Sequence, residues 1–281
     1  VKLDRRTHAF DEGRRRAEPA LRGQLEGEWS WLETPRRGVA ARGRVSLRAR
    51  PQSEAPQVTE ALLGEAVEIL EDLGEWVWVR TLHDRYLGYA RRAEVLLGGF
   101  ENAVSVKALR GHVYDAPRVQ GGIIAEIARG ACLRVLREEG EWREVALPDG
   151  RRGFVSAAVF DEVATDPLEF GQLLLGTPYV WGGRSAWGID CSGLSQRVYA
   201  FWGRSIPRDA DQQQAFLEPV NTPQPGDLAF FPGHVAVCLG EGRILHATST
   251  YMRVAINTLG EGEYGQRLEA ALTGYGRWRD A

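Results

Sequence analysis

Cysteine is scarce in this sequence. Only three occur in 281 residues, Cys132, Cys191 and Cys238. The number is odd and the spacing wide, which leaves no disulfide framework and no zinc-ligand pattern and fits a reducing compartment. No apolar run approaches the roughly 18 residues that a membrane span needs. Charge of one sign is not in excess. The formal net charge is −3, with no basic surplus to suggest nucleic acid and no acidic tail. The local run Arg14, Arg15, Arg16 reads as a solvated face. The N-terminal stretch "VKLDRRTHAFDEGRRRAEPALRG" is charged where a secretory signal would carry its apolar core. The expectation is a cytoplasmic protein, with periplasmic or secreted placement left open. Val1 reads as an alternative start codon translated literally rather than as a cut end.

What is present is ordinary globular composition, 43% hydrophobic and 26% charged, in a chain long enough for two domains or three small ones. An internal repeat organises the first half. "LLGEAVEILEDLGEWVWVR" (Leu62 to Arg80) resembles "IARGACLRVLREEGEWREV" (Ile127 to Val145). Gly64 matches Gly130, and Gly74-Glu75-Trp76 matches Gly140-Glu141-Trp142, all at an offset of 66. Such a period means two copies of one small unit. Period-two alternation in "AVEIL" and "EWVWVR", broken by glycine turns, predicts short strands and hence a small β-barrel per copy. After the linker-like "DEVATDPLEF" the character changes. "PLEFGQLLLG" reads as a helix, a second helix follows Cys191, and strands dominate the rest, which predicts an α+β domain.

The stretch "TPYVWGGRSAWGIDCSGL" sets Cys191 at the start of that second helix. Leu194, Val198 and Phe201 mark one helical face, and Asp190 is a good N-cap type. A helix start favours thiolate through its unpaired N–H groups and its dipole. The Asp190 carboxylate disfavours thiolate. Cys132 in "ACLRVL" and Cys238 in "VAVCLG" have apolar neighbours and read as core; Cys191 has polar and tiny ones, Ser192 and Gly193, and reads as a nucleophile.

A thiol nucleophile needs a histidine base and a third group to orient it. His8, His83 and His112 read as surface or structural. His234 opens the strand "HVAVCLG" and His246 lies in "RILHATS", with "GEGR" as the turn between. A two-residue loop at Glu241-Gly242 would turn His246 away from His234. A three-residue loop, Gly240 to Gly242, pairs His246 with Ala236 and puts both imidazoles on one face. The three-residue loop is the expectation. A metal held by His234, Cys238 and His246 is excluded, because four residues of strand separate the first two by about 13 Å. No cofactor is expected.

In order, "YVWGGRSAWGIDCSGL", "GDLAFFPGHVAVCLG" and "RILHATS" closely resemble the NlpC/p60 family of cell-wall cysteine peptidases, over roughly Pro167 to the C-terminus. The paired Gly-Glu-Trp units resemble bacterial SH3-like (SH3b) domains. With the "LDRRTHAF" start, the whole is similar to three-domain members that act as dipeptidyl-type γ-D-glutamyl-L-diamino-acid endopeptidases on murein peptides. The resemblance implies a multidomain chain: an extension over residues 1–35, SH3-like β-barrels over 36–98 and 99–162, and an α+β papain-like catalytic domain over 163–281.

It also implies site residues: Cys191 as nucleophile, His234 as base, His246 as the orienting third residue. Tyr179 falls near the oxyanion site, Trp181 in the pocket wall and Ser192 beside the nucleophile, against substrate. Asp209 in "PRDADQQ" falls where such members meet the substrate's free α-amine. Tyr86 is the choice for a pocket-closing tyrosine from the first SH3-like domain; its glutamate is open between Glu54 and Glu60. Ala210 departs from the serine common in relatives, which would loosen that subsite. Tyr179 and Trp181 could instead be core aromatics, and Asp209 a helix cap.

The expected substrate is a murein peptide such as L-Ala-γ-D-Glu-diaminopimelate, with the diamino acid, diaminopimelate or Lys, left open, and the expected role is peptidoglycan turnover or recycling. Alternatives are a secreted hydrolase of intact peptidoglycan, an amidase or acyltransferase on the same fold, and a non-catalytic wall-binding module. No nucleic acid and no membrane span are expected.

Overall fold

The computed structural model describes residues 3–279; Val1, and the start-codon reading placed on it, lie outside them. The chain divides into two compact units, Val1–Asp161 and Glu162–Ala281.

The first unit holds both copies of the repeat. In the first copy the sheet order is Arg36–Ala40, Ala66–Asp72, Trp76–Thr81, Leu87–Arg91, Arg44–Arg48, Gln57–Leu62, with Val95–Leu97 added outside the first of these. In the second it is Val104–Ser105, Cys132–Glu139, Trp142–Ala146, Arg152–Ser156, Arg110–Tyr114, Ile123–Ala128. The orders correspond strand for strand. So do the irregularities: the ladder shifts between Ile69 and Glu71 and between Val135 and Arg137, and again between Leu47 and Arg48 and between Val113 and Tyr114. Each bulge recurs at the offset of 66 seen in the sequence. Bulges add twist and bend the bulged strand, which curls so short a sheet around its own core.

Each copy buries an alternating apolar face. Val45, Leu47, Val67, Ile69, Val77 and Val79 fill the first core; Val113, Ile127, Leu133, Val145 and Val155 fill the second. The joint is shared, because Leu62 and Leu63 of the first copy lie in the second core. Gly64 makes this possible. Its φ is +80°, and a Cβ there would lie 2.4 Å from the Cys132 carbonyl oxygen, beside the 2.7 Å bond from Cys132 N–H to the Leu63 carbonyl.

The Trp76–Thr81 strand is buried on both faces. Its outer face is covered by the N-terminal segment, which folds into a sheet of Phe10–Asp11, Arg16–Ala17 and Ser30–Trp31. Ala9 and Leu32 pack with Leu70, Trp78 and Leu87, and buried Arg80 pairs with Glu18 at 2.7 Å. The arginine run faces solvent, with Arg14 and Arg15 exposed, and it is also tied down. Arg14 bridges Asp11 and Glu71 at 2.7 and 2.6 Å, Arg16 reaches Glu71 at 2.8 Å, and Arg15 lies over the Trp29 ring at 4.4 Å. Arginine geometry suits both carboxylate forks and aromatic faces.

The second unit is α+β. Helices α1 (Pro167–Leu173) and α2 (Cys191–Phe201) precede α3 (Ala210–Phe216); α4 (Gly262–Ala271) comes near the end. The sheet is antiparallel, in the order Glu218–Val220, Gly274–Arg277, Leu228–Phe231, His234–Gly240, Arg243–Thr248, Arg253–Thr258. Asp166 caps α1 through Leu168 N–H and Glu169 N–H. The helix is shorter than the leucine run suggested, and Leu173 and Leu175 are exposed. Buried Leu194, Val198 and Tyr199 fix α2, which packs on the His234–Gly240 and Arg243–Thr248 strands. Among the described residues, no helix is long and apolar enough to cross a membrane.

The joint between the copies gives a test. Gly64→Ala combines left-handed strain with a backbone clash and should destabilise by about 2 kcal/mol or more. Gly74→Ala, also at positive φ but facing open space, should cost about 1 kcal/mol. Calorimetric unfolding of the two variants should separate them clearly.

Candidate active site

The approach to Cys191 is held by backbone. Tyr179 N–H donates to the Met252 carbonyl at 2.9 Å, and Pro178 bridges Arg253. The chain then folds back so closely that a Cβ on Gly183 would lie 2.5 Å from the Gly188 carbonyl oxygen. Asp190 follows as the N-cap of α2, accepting from Gly193 N–H at 2.7 Å and Gly182 N–H at 2.8 Å.

Arg208 completes this corner. Its guanidinium forks onto Asp190 at 2.9 Å to Oδ1 and 2.7 Å to Oδ2 and donates to Ser192 Oγ at 2.8 Å. The Arg208 side chain has no exposed surface. The carboxylate that threatened the thiolate is therefore matched by a buried cation, with N–H groups on its remaining lone pairs.

Cys191 opens α2 and is buried, less open than its small neighbours suggested. The backbone N–H groups of Val235, the residue after His234, and of Ser192 act on its sulfur. Burial pushes the thiol up to about 12, and Asp190 pushes the same way; Val235 N–H, Arg208 and Ser192 N–H oppose them. Burial pulls His234 down to about 3, with His246 adding to the effect. Burial thus works against charge on both the thiol and the imidazole, opposing the thiolate that a helix start alone predicts.

The two imidazoles meet. His234 Nε2 lies 2.9 Å from His246 Nδ1. The expected register is present, but the expected loop is not. Cys238 pairs with Ile244 and Val237 with Leu245, which sets His246 across from Ala236. The loop itself has two residues, Glu241 and Gly242, with φ of 54° and 74°. Two positive φ values in a row match the strand twist as a type I′ turn does. A bulge between Cys238 and Gly240 then supplies the one-residue shift. His246 is wholly buried. Its Nε2 lies 2.9 Å from Asn257 Oδ1, and the Tyr264 ring stacks on it at 6.0 Å.

The remaining expected residues fall as follows. Tyr179 is half-buried, and its hydroxyl is held well above the usual phenol range, first by burial and then by Cys191 and Asp190. Trp181 is 63% exposed and so not a core aromatic. Ser192 Oγ is engaged by Arg208 and Asp190. Asp209 is the N-cap of α3, in a capping box with Gln212. Tyr86, Glu54 and Glu60 belong to the first unit. Tyr86 is buried, with its N–H on Thr81 Oγ1 at 2.9 Å; Glu60 is buried and Glu54 exposed. Arg208 and Asn257 were not anticipated. Among the described residues, no three His, Cys, Asp or Glu side chains converge as metal ligands would.

A thiol at a helix start, beside a hydrogen-bonded pair of imidazoles on an antiparallel sheet, defines a thiol hydrolase. Residues 176–273 match the family described as NlpC/P60. Residues 47–95 match a bacterial dipeptidyl-peptidase Sh3 domain and residues 107–161 a bacterial SH3 domain. The chain is 32% identical to dipeptidyl-peptidase 6 of Lysinibacillus sphaericus, over 83% of this chain and 96% of that protein. It is 29% identical to the gamma-D-glutamyl-L-lysine dipeptidyl-peptidase of Bacillus subtilis (strain 168), over 75% and 78% of the two chains. Its fold is similar to the crystal structure of an NlpC/P60 family protein from Bacillus cereus ATCC 10987, with a TM-score of 0.73 and 23% identity over 86% and 99% of the chains. The protein belongs to the NlpC/P60 family of cysteine peptidases, preceded by two bacterial SH3 domains.

Two outcomes follow from the site's electrostatics. Arg208→Met leaves the Asp190 carboxylate buried without its cation and should cost about 3–5 kcal/mol, read by urea unfolding. A thiol raised by burial forms thiolate only as pH rises. Iodoacetamide labelling of the Cys191 peptide, followed by mass spectrometry, should climb steadily from pH 6 to 9; a plateau already reached at pH 6 would mean a resting ion pair instead.

Proposed function

We propose that the protein is a cysteine endopeptidase that hydrolyses the γ-D-glutamyl–diamino-acid bond of murein peptides bearing a free N-terminal L-Ala. The observation that carries this reading is Cys191 at the start of α2, the helix that packs on the strand opened by His234, with His234 hydrogen-bonded to His246. The names of the two dipeptidyl-peptidase relatives support the substrate class, since this chain spans most of each.

In the proposed reaction, His234 Nδ1 takes the thiol proton as substrate arrives, its Nε2 being engaged by His246. The Cys191 sulfur attacks the γ-carbonyl carbon. Cys191 N–H, first in α2 and so without a helical partner, donates to the oxyanion with help from the Tyr179 hydroxyl. The amide bond breaks, and His234 returns its proton to the departing diamino-acid amine. Water, deprotonated by His234, then hydrolyses the thioester and releases L-Ala-γ-D-Glu. Because burial favours the uncharged form of both partners, the proton moves only when the developing oxyanion has donors waiting for it.

Asp209 is assigned to the substrate's α-ammonium and Trp181 to the pocket wall. Asp209 would supply the negative charge from the N-cap of α3. A required free amine would exclude peptides still attached to glycan. The proposed role is turnover of released fragments, and the proposed compartment is the cytoplasm, where such a peptide is met free of the wall.

Mass spectrometry of the products tests this. Free L-Ala-γ-D-Glu-diaminopimelate should yield the dipeptide and diaminopimelate. The N-acetylated tripeptide and intact sacculi should be cleaved at least about tenfold more slowly, the factor that one lost charge-assisted contact of about 1.4 kcal/mol implies. Equal turnover of free and acetylated peptide would remove the amine requirement. Cys191→Ala should abolish cleavage, by about 10⁴-fold or more.

A further inference from the structure

The imidazole pair does not end at His246. The Asn257 carboxamide receives His246 Nε2 on its oxygen and directs its nitrogen at the Tyr251 hydroxyl, 3.4 Å away. Asn257 stands on the Arg253–Thr258 strand, across from Ile244 and diagonal to His246. Tyr251 lies in the turn before that strand and packs edge-on against Tyr264, whose ring stacks on His246.

A neutral imidazole has one N–H and one bare nitrogen, so a partner fixed at one end of a chain of imidazoles fixes every proton along it. An amide oxygen can only accept. His246 must therefore carry its proton on Nε2, leaving Nδ1 bare. Bare Nδ1 accepts from His234, so His234 carries its proton on Nε2. Its Nδ1 is then the lone pair offered to the thiol. Reversing the amide inverts the series: Nδ2 would donate to His246 Nε2, His246 would donate from Nδ1, and His234 would present an N–H to the sulfur.

We propose that Asn257, whose amide oxygen faces His246 Nε2, is a positioning residue that sets the proton positions of both histidines. This rests on the roles proposed above for Cys191 and His234.

The direct test is nitrogen NMR of the histidine rings in the resting full chain, with no substrate present. The wild type should show both rings protonated at Nε2 and bare at Nδ1. Asn257→Asp, which can only accept, should keep that pattern and most of the turnover. Asn257→Leu should lose the pattern, with kcat falling at least about tenfold, as a wrong tautomer costs other hydrolases, and KM changing less than about twofold. A His246 ring protonated at Nδ1 in the wild type would overturn the proposal, as would Asn257→Asp losing as much as Asn257→Leu. The ring pattern is read without turnover, so a different substrate from the one proposed would leave this result standing.

Discussion

The fork from Arg208 to Asp190 is the constraint on which the site depends. Asp190 has three tasks at once: it caps α2, it holds the returning glycine-rich chain by Gly182 N–H, and it stands next to the nucleophile. A bare carboxylate in that position would suit the first two and harm the third. The guanidinium lets all three coexist, because it takes up both oxygens in plane and reaches Ser192 as well. Breaking a buried pair of this kind costs far more than never having built it. The corner is therefore a committed piece of geometry, and the backbone around Cys191 inherits its rigidity.

Burial then shapes the chemistry in a second way. The same covering that pushes the Cys191 thiol up pulls His234 down, so burial favours the uncharged form of both groups. A neutral pair has less to lose when water leaves a closing site, since no solvated charge must be stripped. Charge appears only with the reaction, where α2's unpaired N–H groups meet it.

Much of this was legible in the sequence, and the exceptions have physical reasons. The duplicated barrels announced themselves because period-two alternation and glycine turns are local signals. Cys191 stood out by its polar neighbours. The face shared by His234 and His246 could be argued from strand alternation. The loop joining them could not, because a two-residue turn plus a bulge and a three-residue turn leave His246 in the same register. Arg208 escaped notice because burial of a guanidinium depends on a partner 18 positions away, which no periodicity reports. Asn257 escaped because its role appears only once a third strand is laid beside the first two. The partners of the arginine run near the N-terminus escaped for the same reason: its acceptors, Glu71 above all, come from a distant strand.

The bulges that recur in both barrels show that the copies share a ladder down to its defects. They do not share a setting. The first barrel's Trp76–Thr81 strand is covered on both faces by virtue of the N-terminal segment, while its counterpart Trp142–Ala146 keeps an only partly covered outer side. The two frames match, and one of them carries a lining. Trp78 and Arg80 now presuppose that lining, whereas Glu144 and Ala146, their counterparts, do not. The two barrels therefore differ at the strand face that the N-terminal segment covers while repeating one ladder.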